Sequence, residues 1–213
     1  MRTVLCFGDS NTHGTVPMRD MTDRRRFAKA QRWPSIMAAA LGDGYEVIAE
    51  GHGGRTAVFD DPVEGAHKNG LRALPMLLES HRPIDLVIVM LGTNDLKARF
   101  SVPASDIAIG LERLVVAIGQ SDAGPDGTAP LVLLAAPVPI EEIGFLGDMF
   151  AGGAAKSHAL GVLLQAVADR QGAGFIDLGA VAQVDPVDGI HLSATAHAAI
   201  GGAMTEVVQG VFA

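Results

Sequence analysis

The chain has 213 residues, 48% of them hydrophobic, with 16 basic and 24 acidic side chains and a formal net charge of −8. That length and apolar content suit one domain with a full core and exclude intrinsic disorder. The acidic balance argues against a general nucleic-acid binder, and the lone cysteine excludes a disulfide framework or a Cys-rich zinc site.

An apolar strand is predicted at once, over residues 3–7, with Cys6 as a small buried hydrophobe inside it. A Gly-Asp-Ser turn follows at residue 8, so no secretory leader is expected. No apolar run nears the ~18–20 residues of a membrane span. A soluble, cytoplasmic protein is the expectation. Residues 19–32 then carry six basic side chains (Arg19, Arg24, Arg25, Arg26, Lys29, Arg32) and read as a solvated loop. Trp33, Ile36, Met37, Ala40 and Leu41 recur at helical spacing, and a second strand is predicted over 45–49. A helix over 71–80 contains Pro75, which predicts a kink or a late start. The strand over 85–91 is the most apolar in the chain, and Ser105 or Asp106 is expected to cap a helix over 107–118. A strand at 131–135, a long apolar loop at 138–153, a helix at 154–171, a weaker strand at 174–178 and a helix at 194–212 complete the series.

Strand and helix alternate about five times without a composition break. This predicts one α/β domain over 1–213, a three-layer α/β/α sandwich around a mostly parallel five-stranded sheet. The strands lack polar alternation, as strands buried on both faces should. Ligand sites in such sheets lie beyond the carboxyl ends of the strands. That rule selects four segments, 8–14, 51–56, 92–95 and 185–193, and all four can meet in one crevice.

Each of the four holds chemically useful residues. Ser10, between a buried strand and a helix start, places a hydroxyl among backbone N–H groups. In Asp188-Gly189-Ile190-His191 a carboxylate three residues before an imidazole can reach its Nδ1 and leave Nε2 as a base. Of the seven histidines, only His191 has a carboxylate so placed after a strand; His197, the nearest rival, is expected well along the last predicted helix. Asn94, after the most apolar strand, can aim an amide N–H₂ into the crevice. Gly53 and Gly54 allow a backbone N–H to approach a substrate without a Cβ in the way.

In this order the blocks resemble those of the SGNH (GDSL-type) hydrolases. Gly8-Asp9-Ser10 is similar to the nucleophile block, Gly92-Thr93-Asn94-Asp95 to the asparagine block, and Asp188-x-x-His191 to the terminal acid-base block. The resemblance implies Ser10, Asp188 and His191 as catalytic residues, with Ser10, Gly54 and Asn94 forming an oxyanion hole. Gly54 is preferred to its neighbour Gly53 because it immediately precedes Arg55-Thr56. It also implies a flavodoxin-like fold, no cofactor, no metal, and a small-molecule ester as substrate, with no nucleic-acid or membrane partner. The motifs are most similar to those of bacterial arylesterases, which implies short-chain aryl or alkyl esters, acyltransferase or perhydrolase ability, and a homo-oligomer larger than a dimer, such as an octamer. Thr15 and His13 stand where such transferases tend to carry bulky aromatics. Residues 138–153 are the segment expected to be buried between subunits, the alternative being a cap folded back over the chain's own crevice. A carbohydrate O-deacetylase would share the apparatus. A flavodoxin-like phosphate- or nucleotide-binding module, with residues 8–14 as its cradle, is the alternative of another class; it would leave Asp188 and His191 unused. No Gly-x-Ser-x-Gly elbow surrounds Ser10, which argues against the α/β-hydrolase fold.

Overall fold

The computed structural model describes all residues, Met1–Ala213. Five strands, β1 (Arg2–Gly8), β2 (Tyr45–Gly51), β3 (Leu86–Met90), β4 (Leu131–Ala136) and β5 (Gly174–Asp177), form one parallel sheet in the order β2-β1-β3-β4-β5. The absence of polar alternation has its expected cause in the centre, where every residue of β3 is buried. The edge strands differ: β2 and β5 are mostly half-buried, because only one neighbour flanks each.

Alternate residues of the inner strands serve two cores. Leu5, Phe7, Val87 and Val89 face α3 (Gly70–His81), α4 (Ala104–Gly119) and α5 (Gly153–Gln171). Val4, Cys6, Leu86 and Ile88 face α2 (Trp33–Leu41) and α6 (Ala194–Val211). Cys6 is fully buried, and burial pushes its thiol pKa far up, so it is inert. No helix is long and apolar enough to cross a membrane.

Two helix starts differ from their predicted positions. The helix holding Pro75 starts at Gly70, with Asn69 accepting from Arg72 N as its cap, and runs on through the proline, which lies on its exposed side. The cap of α4 is neither Ser105 nor Asp106. The helix opens at Ala104 behind Pro103, whose fixed φ suits the approach to a helix, and Asp106 sits in the first turn, where it complements the helix dipole.

The loop at 138–153 does not lie bare. It winds into a short 3₁₀ segment, Gly144–Phe150, that buries Leu146 and Phe150 in the chain's own core, along with Ile140 further upstream. Its apolar content is therefore largely satisfied within one chain.

Candidate active site

The carboxyl ends of β1, β2 and β3 meet where the strand order reverses direction, and the four predicted segments converge there. Ser10 opens a one-turn helix, α1 (Ser10–His13), directly after β1. Its Oγ stands 3.1 Å from His191 Nε2, and His191 Nδ1 stands 2.6 Å from Asp188 Oδ2. All three residues are buried. Asp188 builds the turn that carries His191: its Oδ1 accepts from the N–H groups of Ile190 (3.0 Å) and His191 (2.9 Å). The turn requires Gly189, whose φ is +71° and where a Cβ would come within 2.1 Å of Glu141 O. Burial alone would raise the Asp188 pKa. The hydrogen bond and charge of His191, with the N–H groups of His191 and Met18, outweigh it and hold the carboxyl below its ordinary range, hence ionised.

Asn94 is buried at the end of β3, and its Nδ2 donates to Asp9 Oδ2 at 3.3 Å. The other oxygen of Asp9 accepts from Asn11 N at 2.9 Å and caps α1. As the first residue of a helix, Ser10 leaves its N–H without an intrahelical acceptor. The N–H of Gly54 also donates to no backbone acceptor. These two amides and the Asn94 carboxamide are the hydrogen-bond donors predicted for the crevice. His197 is excluded from the chemistry. It is buried in the first turn of α6, its Nδ1 accepts from Trp33 N at 3.4 Å, and burial takes its pKa down to about 4.

A cleft of about 550 Å³ opens over Ser10, Asn94 and His191. Met18, Leu146, Met149 and Phe150 are among its apolar lining residues, so the loop at 138–153 shapes the cleft of its own chain. Charged residues line the cleft as well: Lys97 bridges Asp61 and Glu64, Arg99 joins the same pair, and Lys68 is a further lining residue. His13 and Thr15 also line it, with His13 Nδ1 and Thr15 Oγ1 3.3 Å apart. The segment 8–14 makes a poor phosphate cradle, because the Asp9 carboxylate caps its helix and the Ser10 hydroxyl is engaged by His191.

Several contributors to the site were not foreseen. Asn11 clamps the His191 segment onto α1, donating to Ile190 O at 3.1 Å and accepting from Leu192 N at 3.2 Å. The chain just before the basic loop reaches the site too, through Met18 N donating to Asp188 Oδ2 at 2.7 Å. Arg55 is buried beneath the cleft, its guanidinium over the Phe7 ring and donating to the carbonyls of Gly8 and Glu50. Lys97 is 3% exposed within its carboxylate pair, although lysine is rarely buried unpaired.

Two buried carboxyls, Asp9 and Asp95, give stability a definite pH dependence. Burial raises Asp9 to about 6, against the Asn11 N–H and nearby positive charges; it raises Asp95 to about 7, and the charge of Asp9 adds to it. In the unfolded chain both ionise near ~4. Between those values the native state holds protons that the unfolded state has released, so their contribution to stability falls as pH rises from about 4 to about 7. Asp95→Asn retains an acceptor for Ala57 N, which Asp95 now binds at 2.9 Å, and removes the share of this dependence that Asp95 carries. The melting temperature of the variant minus that of the parent is expected to climb between pH 4 and 7. A difference that stays constant with pH contradicts the assignment.

Fold and site together define a carboxylic ester hydrolase of the SGNH type. The chain belongs to the GDSL-like lipase/acylhydrolase family, whose model matches residues 6–199. Its structure is similar to that of Est24, a carbohydrate acetylesterase from Sinorhizobium meliloti, at 42% identity and TM-score 0.94, over 99% of this chain and 100% of that one. It is likewise similar to the aryl esterase of M. smegmatis, at 39% identity and TM-score 0.94, over 99% of both chains. A further carbohydrate acetylesterase family member from S. meliloti matches at 41% identity and TM-score 0.90, over 99% and 98% of the two chains. Comparison with curated proteins gives no match. The binding-module alternative is set aside by this membership.

Proposed function

We propose that the chain cleaves short acyl esters through a covalent ester on Ser10. His191 takes the Ser10 proton as Oγ attacks the acyl carbon, and passes it to the departing alcohol. It then activates the water that releases the acid, while Asp188 orients the ring and balances the imidazolium. The N–H groups of Ser10 and Gly54 and the Asn94 amide hold the developing oxyanion. The observation that carries this reading is the unbroken line from Asp188 Oδ2 through His191 to Ser10 Oγ, at 2.6 and 3.1 Å, under an open cleft.

Acyl groups from acetyl to about butyryl are the expected substrates, with Leu146, Met149 and Phe150 of the cleft lining to receive them. The alcohol portion is placed against the charged residues of the cleft, where Glu64 and Arg99 offer partners for hydroxyl groups. Those charged lining residues, with the similarity to Est24, support acetylated carbohydrates as a second substrate class beside aryl and simple alkyl esters. A panel of aryl esters of rising acyl length, assayed beside acetylated sugars, tests both points. The expected result is a maximum in kcat/KM at the short end and measurable release of acetate from the sugars. Rates climbing steadily to palmitoyl would indicate a lipase instead.

The same proposal includes self-association into more than a dimer, with a neighbour at the cleft mouth. Its support is now the rim rather than the loop at 138–153: Met21 and Val63 line the cleft entrance yet are 56% and 73% exposed. Exposed apolar side chains grouped at one rim favour a covering surface. Light scattering at micromolar concentration is expected to give a multiple of 22.1 kDa above two; a stable monomer contradicts it.

A further inference from the structure

One member of the proposed oxyanion hole, the Gly54 N–H, belongs to the peptide between Gly53 and Gly54. Neither residue has a Cβ, so this peptide plane meets little steric resistance to turning over. In one orientation the Gly54 N–H is offered to the substrate. In the other the Gly53 carbonyl replaces it, and an acceptor at that position would repel an oxyanion.

One side chain bonds directly to this peptide. Lys68 Nζ donates to Gly53 O at 2.7 Å, on the opposite end of the same peptide unit from the Gly54 N–H. The backbone around Lys68 is itself tied down. Thr56 N donates to Lys68 O at 2.9 Å, and Lys68 N donates to Gly65 O at 3.1 Å, so the lysine is anchored close in space to the peptide it holds. Its stem also closes over Gly54: a Cβ there would lie 3.2 Å from Lys68 Cε and 2.5 Å from Glu64 Oε2, and Gly54 takes a φ of +78°. Lys68 Nζ stands 3.4 Å from His52 Nε2. Burial, with the charges of Lys68 and Arg55, takes His52 down to about 4, so at neutral pH this ring is uncharged and does not repel the ammonium. Burial lowers the Lys68 pKa from its ordinary value, with Lys97 and Arg55 adding to the fall and the charges of Glu64 and Asp61 working against it.

We infer that Lys68 is a positioning residue: its ammonium pins the Gly53–Gly54 peptide in the orientation that turns the Gly54 N–H toward the reacting oxygen, and draws charge from Gly53 O so that this N–H is a stronger donor. The second effect follows from the polarisation that one hydrogen bond passes through a peptide to the next. The inference rests on the proposed role of Gly54 in the site described above.

Lys68→Met keeps the stem and removes the ammonium. Loss of a whole oxyanion donor costs roughly 10²–10³ in kcat. Loss of its support is expected to cost about tenfold in kcat, equally for aryl acetates of different leaving groups. KM should stay within about twofold and the melting temperature should not move. Lys68→Arg, which retains a cationic donor, should lose less. Lys68→Gln guards against a folding defect in the methionine variant and should show the same KM-against-kcat split at parental stability. Unchanged kcat in both neutral variants, or a rise in KM with kcat intact, overturns the inference, the latter by making Lys68 a substrate-binding group. Titration of the parent with an organophosphonate keeps the two readings apart. If Ser10 is not modified, the proposed function itself fails. If Ser10 is modified while the neutral Lys68 variants turn over normally, only the role of Lys68 fails.

Discussion

Ser10→Ala is expected to lower kcat for aryl acetates by more than about a thousandfold while leaving the melting temperature essentially unchanged. The size of the loss follows from the way such groups act as one unit, so that removing the nucleophile removes the whole covalent route. The harmlessness to the fold follows from the contacts: Ser10 Oγ bonds only to His191 Nε2, and alanine retains the backbone N–H at the start of α1. Initial rates on p-nitrophenyl acetate, beside thermal melting of the same samples, check both halves. Turnover above about a thousandth of the parent would remove Ser10 from the role of nucleophile.

Asn94→Ala carries the second largest effect. Deleting one side-chain oxyanion donor costs roughly 10²–10³ in kcat with little change in KM, because the donor matters most when charge has developed on the oxygen. This substitution also has a structural cost. Asp9 Oδ2 loses the Nδ2 donor at 3.3 Å and has no water-exposed alternative, since Asp9 is 1% exposed. A buried acceptor left unpaired costs about 1–3 kcal/mol. A modest fall in melting temperature is therefore expected beside the large fall in kcat. Steady-state kinetics in which KM alone rises would make Asn94 a binding residue and leave the hole to other groups.

The sheet and most helices were legible in the sequence because their signals are local. Runs such as Val87, Ile88 and Val89 have no polar position to offer, so they mark a strand covered on both faces. The start of α4 was misplaced for a local reason too: Ser105 and Asp106 have cap chemistry, but Pro103 already fixes where the helix begins. The positions of Ser10, Asn94, Asp188 and His191 were legible because each follows the carboxyl end of a strand or stands beside a turn former. Their supporting residues were not. Asn11 meets Ile190 across 179 positions and Lys68 meets Gly53 across 15, and an asparagine or lysine gives no sign in sequence of which distant carbonyl it will hold. The loop at 138–153 shows the opposite failure. Its apolar residues correctly announced burial, but hydrophobicity does not name its partner, and the chain covers Leu146 and Phe150 with its own core.

The account turns on a covalent intermediate at one hydroxyl, and mass spectrometry after treatment with an organophosphonate tests it most directly. The predicted result is a single adduct per chain on the peptide containing Ser10, with activity lost in proportion to labelling and no adduct on Ser10→Ala. Complete inactivation with the adduct on another residue, or full activity retained by a chain already modified at Ser10, would contradict it.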